Sequence, residues 1–157
     1  PNGNVQFEVM RTFLHFNDPR ADRYLIKKLD SNDPGILINV ARLAANSRHP
    51  EVARKLSEIL NRKLLKESDE NIKSAVIKSL TEMALPDAFP ALELFLLSRG
   101  LLQTIQGNSL KIQAVRSLLR YSDPAAVTLA EQVSRKSSGE LAQVAEQVFH
   151  QLSEKRP

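Results

Sequence analysis

The stretch VMRTFLHFNDP, residues 9–19, has three close counterparts further along the chain. They are VARLAANSRHP at 40–50, VIKSLTEMALP at 76–86 and VRSLLRYSDP at 115–124. In each stretch a basic residue is followed eight positions later by a proline. The basic residues are Arg11, Arg42, Lys78 and Arg116. Four prolines at one offset are half of the eight in the chain, so the stretches indicate an internal repeat rather than chance matches.

Each of these stretches has the pattern of an amphipathic helix. Between residues 69 and 84 the apolar side chains recur at helical spacing, which places them on one face. These side chains are Ile72, Ala75, Val76, Leu80 and Met83. Lys78 stands two positions before Leu80, roughly 200° round the helix from it. We therefore predict that the recurrent basic residue points to solvent.

A second amphipathic helix is predicted after each proline. Proline is favoured in the first turn of a helix, where its missing N–H group costs nothing, and Asp18 and Asp123 stand just before it as capping residues. Apolar residues follow two and six positions after the proline. The first set is Ala21, Val52, Ala88 and Ala126, and the second is Leu25, Leu56, Leu92 and Ala130. We expect both sets on the buried face.

The chain is therefore predicted to be all-α, with four helix pairs and a terminal helix in a single domain, 1–157. The paired helices are placed at about 4–16 and 18–30, 34–46 and 49–65, 69–84 and 86–98, and 108–121 and 123–136, and the terminal helix at 139–154. The repeat units accordingly span 4–30, 34–65, 69–98 and 108–136. Because the chain opens on Pro1 rather than methionine, we expect it to be a piece of a longer protein.

The string SDENIKSAVIKSLTEMALPDAFPALELFLL, residues 68–97, resembles a HEAT repeat of the short bacterial, phycobilisome-lyase-like kind. The matching positions are Asp69, Ile72, Lys73, Ala75, Leu80, Pro86, Ala88 and Leu92, and in the next unit Leu110, Lys111, Ala114, Leu118, Asp123, Pro124 and Ala126. In the first two units Gln6 and Leu37 occupy the family's basic slot. The resemblance implies an α-α superhelix, a solenoid of the HEAT/armadillo type. Its second helices line a concave face, where partners bind.

The composition is that of an ordered chain with a core, 42% apolar and 25% charged. No stretch of about eighteen uncharged apolar residues is present, so we expect no membrane-spanning helix. No signal-peptide pattern opens the chain. The chain has no cysteine, hence no disulfide and no thiolate metal site. This fits a reducing compartment, and we expect a cytoplasmic protein.

No catalytic motif is found along the chain. His15, His49 and His150 do not pair at metal-ligand spacing, and His49 precedes Pro50, where it fits a helix cap or a surface position. Carboxylates at predicted helix starts suit capping better than acid–base catalysis. They are Asp33, Asp69 and Asp123. We predict that the protein is not an enzyme and uses no metal and no cofactor.

A basic surface is the main functional lead. Residues 1–66 contain 12 Lys and Arg but only 7 Asp and Glu. We define the basic stripe by seven cations on the second helices of the first two units. They are Arg20, Arg23, Lys27, Arg54, Lys55, Arg62 and Lys63. Stacked helices would align them for an acidic peptide or for phosphates. The alternative is an ordinary surface, in which Asp22, Glu51 and Glu58 pair with these cations locally.

The connection SRGLLQTIQGNS, residues 98–109, is the second lead. Its apolar residues Leu101, Leu102 and Ile105 are candidates for a docking patch. Alternatively they fold over the core, as one helical turn.

We expect a scaffold that binds another protein or an acidic peptide on the concave face. A nucleic-acid-binding module that uses the basic N-terminal half is the alternative, and steep salt dependence of binding would favour it.

Overall fold

The computed structural model describes residues 3–62, 68–98 and 105–155, and these ranges consist of helices joined by short turns. The helices are α1 (Gly3–His15), α2 (Pro19–Lys28), α3 (Pro34–Ala44), α4 (Pro50–Asn61), α5 (Ser68–Met83), α6 (Phe89–Leu97), α7 (Ile105–Ser117), α8 (Ala125–Lys136) and α9 (Gly139–Glu154). Two 3-10 turns, Pro86–Ala88 and Leu118–Arg120, adjoin them. The described ranges contain no strand, which confirms the predicted all-α class.

Side-chain hydrogen bonds to the backbone mark the start of four of these helices. Asp18, Asp33, His49 and Asp123 each accept a hydrogen bond from a backbone N–H in the first turn that follows, at 2.8–3.2 Å. The first N–H groups of a helix have no partner within it, so each cap satisfies one of them. The caps predicted at Asp18, Asp33 and His49 are confirmed, whereas Asp123 lies one residue before Pro124, the N-cap of α8. Asp69 instead lies inside the first turn of α5.

The second helix of the third unit begins later than predicted. A helix that started at Pro86 would carry Pro90 in its second turn. There the proline ring clashes with the carbonyl group four residues earlier, and the ring nitrogen has no hydrogen to donate. The chain instead forms the 3-10 turn Pro86–Ala88, and α6 begins at Phe89 with Pro90 in its first turn.

The described helices contact one another in two rows. In the first-helix row α3 packs on α5, α5 on α7 and α7 on α9. In the second-helix row α2 packs on α4, α4 on α6 and α6 on α8. The rows meet where each second helix contacts the helix that follows it, most extensively between α8 and α9. The main partner of α1 is α2.

The core lies between the rows and follows the predicted repeat. Both apolar sets after the prolines are fully buried, at 0% exposure. They are Ala21, Val52, Ala88, Ala126, Leu25, Leu56, Leu92 and Ala130. The small residues of the first set leave room for the adjacent backbone, whereas the leucines of the second set fill the space between the rows.

Hydrogen bonds to backbone carbonyls join neighbouring first helices. The Ser79 hydroxyl of α5 donates to the carbonyl oxygen of Ala41 in α3, at 2.5 Å. The Tyr121 hydroxyl, beyond α7, donates to the carbonyl oxygen of Leu80 in α5, at 2.8 Å. Burial raises the pKa of Tyr121 to about 12. No buried side-chain N or O atom of the described residues is without a partner.

Candidate binding surfaces

The basic stripe lies on two helices that contact each other. Arg20, Arg23 and Lys27 belong to α2, and Arg54 and Lys55 belong to α4. Whether these cations can serve a partner depends on what they already bind within the chain. An ion pair inside the protein must be broken, or shared, before its cation can hold an external anion.

Arg20 is engaged at the start of its own helix. Its guanidinium lies 2.6 Å from a carboxylate oxygen of Asp18 and 4.5 Å from the centre of the Phe13 ring. The side-chain hydrogen bonds from Arg20, and then the bond from its backbone N–H, lower the pKa of Asp18 to about 2. The pair therefore holds the N-terminus of α2 against α1.

Arg54 is bound by two carboxylates of its own helix. Its guanidinium lies 2.5 Å from Glu51 and also pairs with Glu58, one turn away on either side. The hydrogen bond from Arg54 is the main cause of the lowered pKa of Glu51. Both carboxylates thus pair locally, as the alternative interpretation of the stripe predicted. Asp22 does not, since it accepts a hydrogen bond from the Ser47 hydroxyl at 2.6 Å.

Lys55 connects the first two units. Its ammonium group lies 2.5 Å from one carboxylate oxygen of Asp30, just beyond the end of α2, and also bonds the other oxygen. The Lys55 side chain is largely covered, whereas that of Asp30 is exposed. The pair ties the second helices together and uses another cation of the stripe.

Three cations of the stripe remain without an ion pair among the described residues. Two of them, Arg23 and Lys27, are exposed on α2. Arg62 is also exposed, but α4 ends at Asn61 and Arg62 continues in an extended conformation. Its predicted place on the helix is therefore wrong. Lys63 lies outside the described residues.

The last part of the predicted docking loop is helical. Leu101 and Leu102 lie outside the described residues, so that part stays a prediction. Ile105 opens α7, three residues before the predicted start of that helix. Residues 105–109 are therefore helical and do not belong to a loop.

Two lysines, one buried and one partly buried, have structural roles that the sequence analysis did not assign to them. Lys73 of α5 is only 2% exposed, and its ammonium group donates to the backbone carbonyl oxygens of Leu60, at 2.5 Å, and of Arg62. Lys111 of α7 donates in the same way to the carbonyl oxygen of Ser98, at 2.8 Å. Burial lowers the pKa of Lys73 to about 8 and that of Lys111 as well.

These lysines close the ends of second helices. The last carbonyl groups of a helix lack partners within it, and a cation is favourable there. The sequence signal was the basic slot of the HEAT-like pattern, which Lys73 and Lys111 fill. Leu37 occupies that slot in α3 and is buried instead, whereas Gln6 of α1 is exposed.

The recurrent basic residues that define the repeat all point to solvent, as predicted. They are Arg11, Arg42, Lys78 and Arg116. In α3, α5 and α7 each is the single exposed residue between two buried neighbours on either side. None of the four forms an ion pair with a described residue.

No protein-family model and no curated protein matches the chain. Within the described ranges, no group of three or more His, Asp or Glu side chains could hold a metal ion. No helix in that part of the chain is long and apolar enough to cross a membrane.

Proposed function

We propose that the chain is a non-catalytic scaffold that binds a partner protein, built as an α-α superhelix of the HEAT/armadillo type. The observation that carries this proposal is the second-helix row, in which α2, α4, α6 and α8 contact one another in chain order. Such a row offers a partner one extended face rather than a single pocket. The HEAT-like pattern of residues 68–97 supports the same architecture.

The perturbed side chains also favour a structural rather than a catalytic chemistry. Lys73, Lys111 and Tyr121 have shifted pKa values, and shifted groups are common in active sites. Here, however, each of them donates to a backbone carbonyl group of another segment. Their donors are used to join helices, so they are poor candidates for proton transfer.

We place the partner on the α2–α4 part of the second-helix row, where Arg23 and Lys27 can accept an acidic segment. Arg20, Arg54 and Lys55 are balanced inside the chain by Asp18, Asp30 and two glutamates. Lys28 of α2 has no ion pair with a described residue, and its ammonium group lies 5.9 Å from the centre of the Tyr24 ring. Arg23 and Lys27, two exposed cations one helical turn apart, suit a short acidic peptide. A nucleic acid strand is a weaker candidate, because its backbone is held by several cations in succession.

A pull-down from cells of the source organism tests this function, with the intact protein as bait. The charge-reversed variant is Arg23→Glu with Lys27→Glu. Its matched control is Lys78→Glu with Arg116→Glu, which makes the same change in charge at exposed, unpaired residues of α5 and α7. We expect one protein to be recovered by the wild type and by the control, and lost by the α2 variant.

Two results would contradict the proposal. Recovery of the same protein by the α2 variant would show that the site is elsewhere. Recovery of nucleic acid in place of protein, with a yield that falls steeply between low and moderate salt, would favour the nucleic-acid alternative.

A further inference from the structure

An open cleft separates α1 from α3. Neighbouring members of the first-helix row pack on each other, but α1 packs mainly on α2. Two adjoining openings of about 560 Å³ each lie between α1 and α3, and Glu8, Arg11 and Asn46 line both. Arg42 and Asn39 of α3 complete the side that faces Phe7. Volumes of this size are typical of binding sites in proteins.

The cleft carries a net positive charge. Arg11 and Arg42 are exposed, line the same opening and form no ion pair with a described residue. Arg20 and Arg54, by contrast, are held by carboxylates of their own segments. Of the described residues that line either opening, Glu8 is the single carboxylate. The cleft thus presents two guanidinium groups against one carboxylate.

The neutral groups of the cleft match a polypeptide better than a phosphate backbone. The exposed Asn39 side chain has a donor and an acceptor, like the N–H and C=O groups of a peptide. Glu8 can accept a hydrogen bond from a peptide N–H, whereas the phosphate groups of a nucleic acid backbone offer only acceptors and repel it. The guanidinium groups bind carboxylates in a two-pronged geometry.

We propose that the α1–α3 cleft binds an acidic segment of a partner protein. Arg11 and Arg42 pair with carboxylates of that segment, and Asn39 bonds to its backbone. The cleft is separate from the α2–α4 surface assigned above, so the two sites are independent. A scaffold with both sites could hold two segments at once.

The direct test is fluorescence anisotropy with a labelled ten-residue peptide of alternating glutamate and serine, at low salt. The cleft variant is Arg11→Glu with Arg42→Glu, and the matched control is again Lys78→Glu with Arg116→Glu. Since the loss of even one hydrogen bond to a charged group weakens binding by about tenfold or more, we expect the cleft variant to bind at least about tenfold more weakly. The control should stay within about twofold of wild type.

Three results would overturn the proposal: no binding of the peptide by the wild type, equal weakening in the cleft variant and the control, or tighter binding of a ten-nucleotide single-stranded DNA that the cleft variant abolishes. The last result would assign the cleft to nucleic acid. A second variant, Arg11→Gln with Arg42→Gln, removes the charge without repulsion and should also weaken binding. Unchanged urea midpoints verify that each variant is folded.

Discussion

Lys73 of α5 lies 2.5 Å from the carbonyl oxygen of Leu60 in α4, and the ammonium group of this buried lysine also bonds the carbonyl oxygen of Arg62. A side chain of one repeat unit thus caps the C-terminal end of the second helix of the preceding unit. Lys111 makes the corresponding bond to Ser98, one repeat later. Contacts between neighbouring repeat units therefore stabilise the folded chain, as do the contacts within each unit.

Replacement of Lys73 by methionine tests this contact. The methionine keeps the apolar stem but leaves the end of α4 without its donor, so we expect the free energy of unfolding to fall by about 1–3 kcal/mol. Lys111→Met should cost less, since Lys111 is only partly buried and has one described acceptor. Urea denaturation measures both. Lys78→Met, at an exposed position of α5, is the control and should stay within about 0.5 kcal/mol of wild type.

Because the pKa of Tyr121 is raised, we expect the stability of the fold to decrease at alkaline pH. Its folded-state pKa of about 12 lies above the ordinary value of 10.0, so the folded chain keeps a proton that the unfolded chain loses. The resulting stabilisation is complete below pH 10 and is lost as the pH rises towards 12. Tyr121→Phe removes this effect and, at pH 7, also the hydrogen bond to Leu80, at a cost of about 0.5–1.5 kcal/mol.

We therefore expect the stability difference between wild type and Tyr121→Phe to shrink from pH 9 to pH 11. Urea unfolding at the two pH values gives that difference, in which the titration of shared groups cancels. A constant difference would show that the Tyr121 hydroxyl ionises as freely in the folded chain as in the unfolded one.

Leu56 and Leu94 lie on opposite sides of the second-helix row, one in the core and the other on the surface. Leu56 of α4 is fully buried, while Leu94 of α6 is 61% exposed. Leu56→Ala removes buried apolar contacts and leaves a cavity, so we expect a loss of about 2–5 kcal/mol. Leu94→Ala is the same substitution at the surface and should change stability by less than about 0.5 kcal/mol. Thermal or urea unfolding that ranked the two equally would contradict the assigned rows.

Two residues have a left-handed backbone conformation, and we expect substitutions at these two positions to change the stability in opposite directions. Gly139 opens α9 with φ +62° and Ala84 follows α5 with φ 47°. A side chain in this region costs about 1–2 kcal/mol, so Gly139→Ala should destabilise although the space around it is open. Ala84→Gly should be neutral or stabilising, because relief of strain exceeds or offsets the greater freedom of the unfolded glycine. Equal destabilisation by both would refute the backbone assignment.

Local chemistry made much of the fold predictable. The caps Asp18 and His49 each bond a backbone N–H group two residues further along the chain. The local sequence was therefore enough to predict them. The fully buried Leu25 and Leu56, and the outward direction of Arg42, follow from the period of 3.6 residues per turn. The late start of α6 was also contained in the sequence, since Pro90 excludes a helix that begins at Pro86.

Contacts between distant residues decided the rest. The sequence by itself determined an all-helical chain with a regular apolar face and basic residues pointing outward, because periodicity acts through neighbouring turns. Only the tertiary structure decided that Lys55 is paired with Asp30, that Lys73 is buried, and that Arg11 and Arg42 share one open cleft. These outcomes depend on which helices lie side by side and how far apart, and packing between separate segments sets that distance.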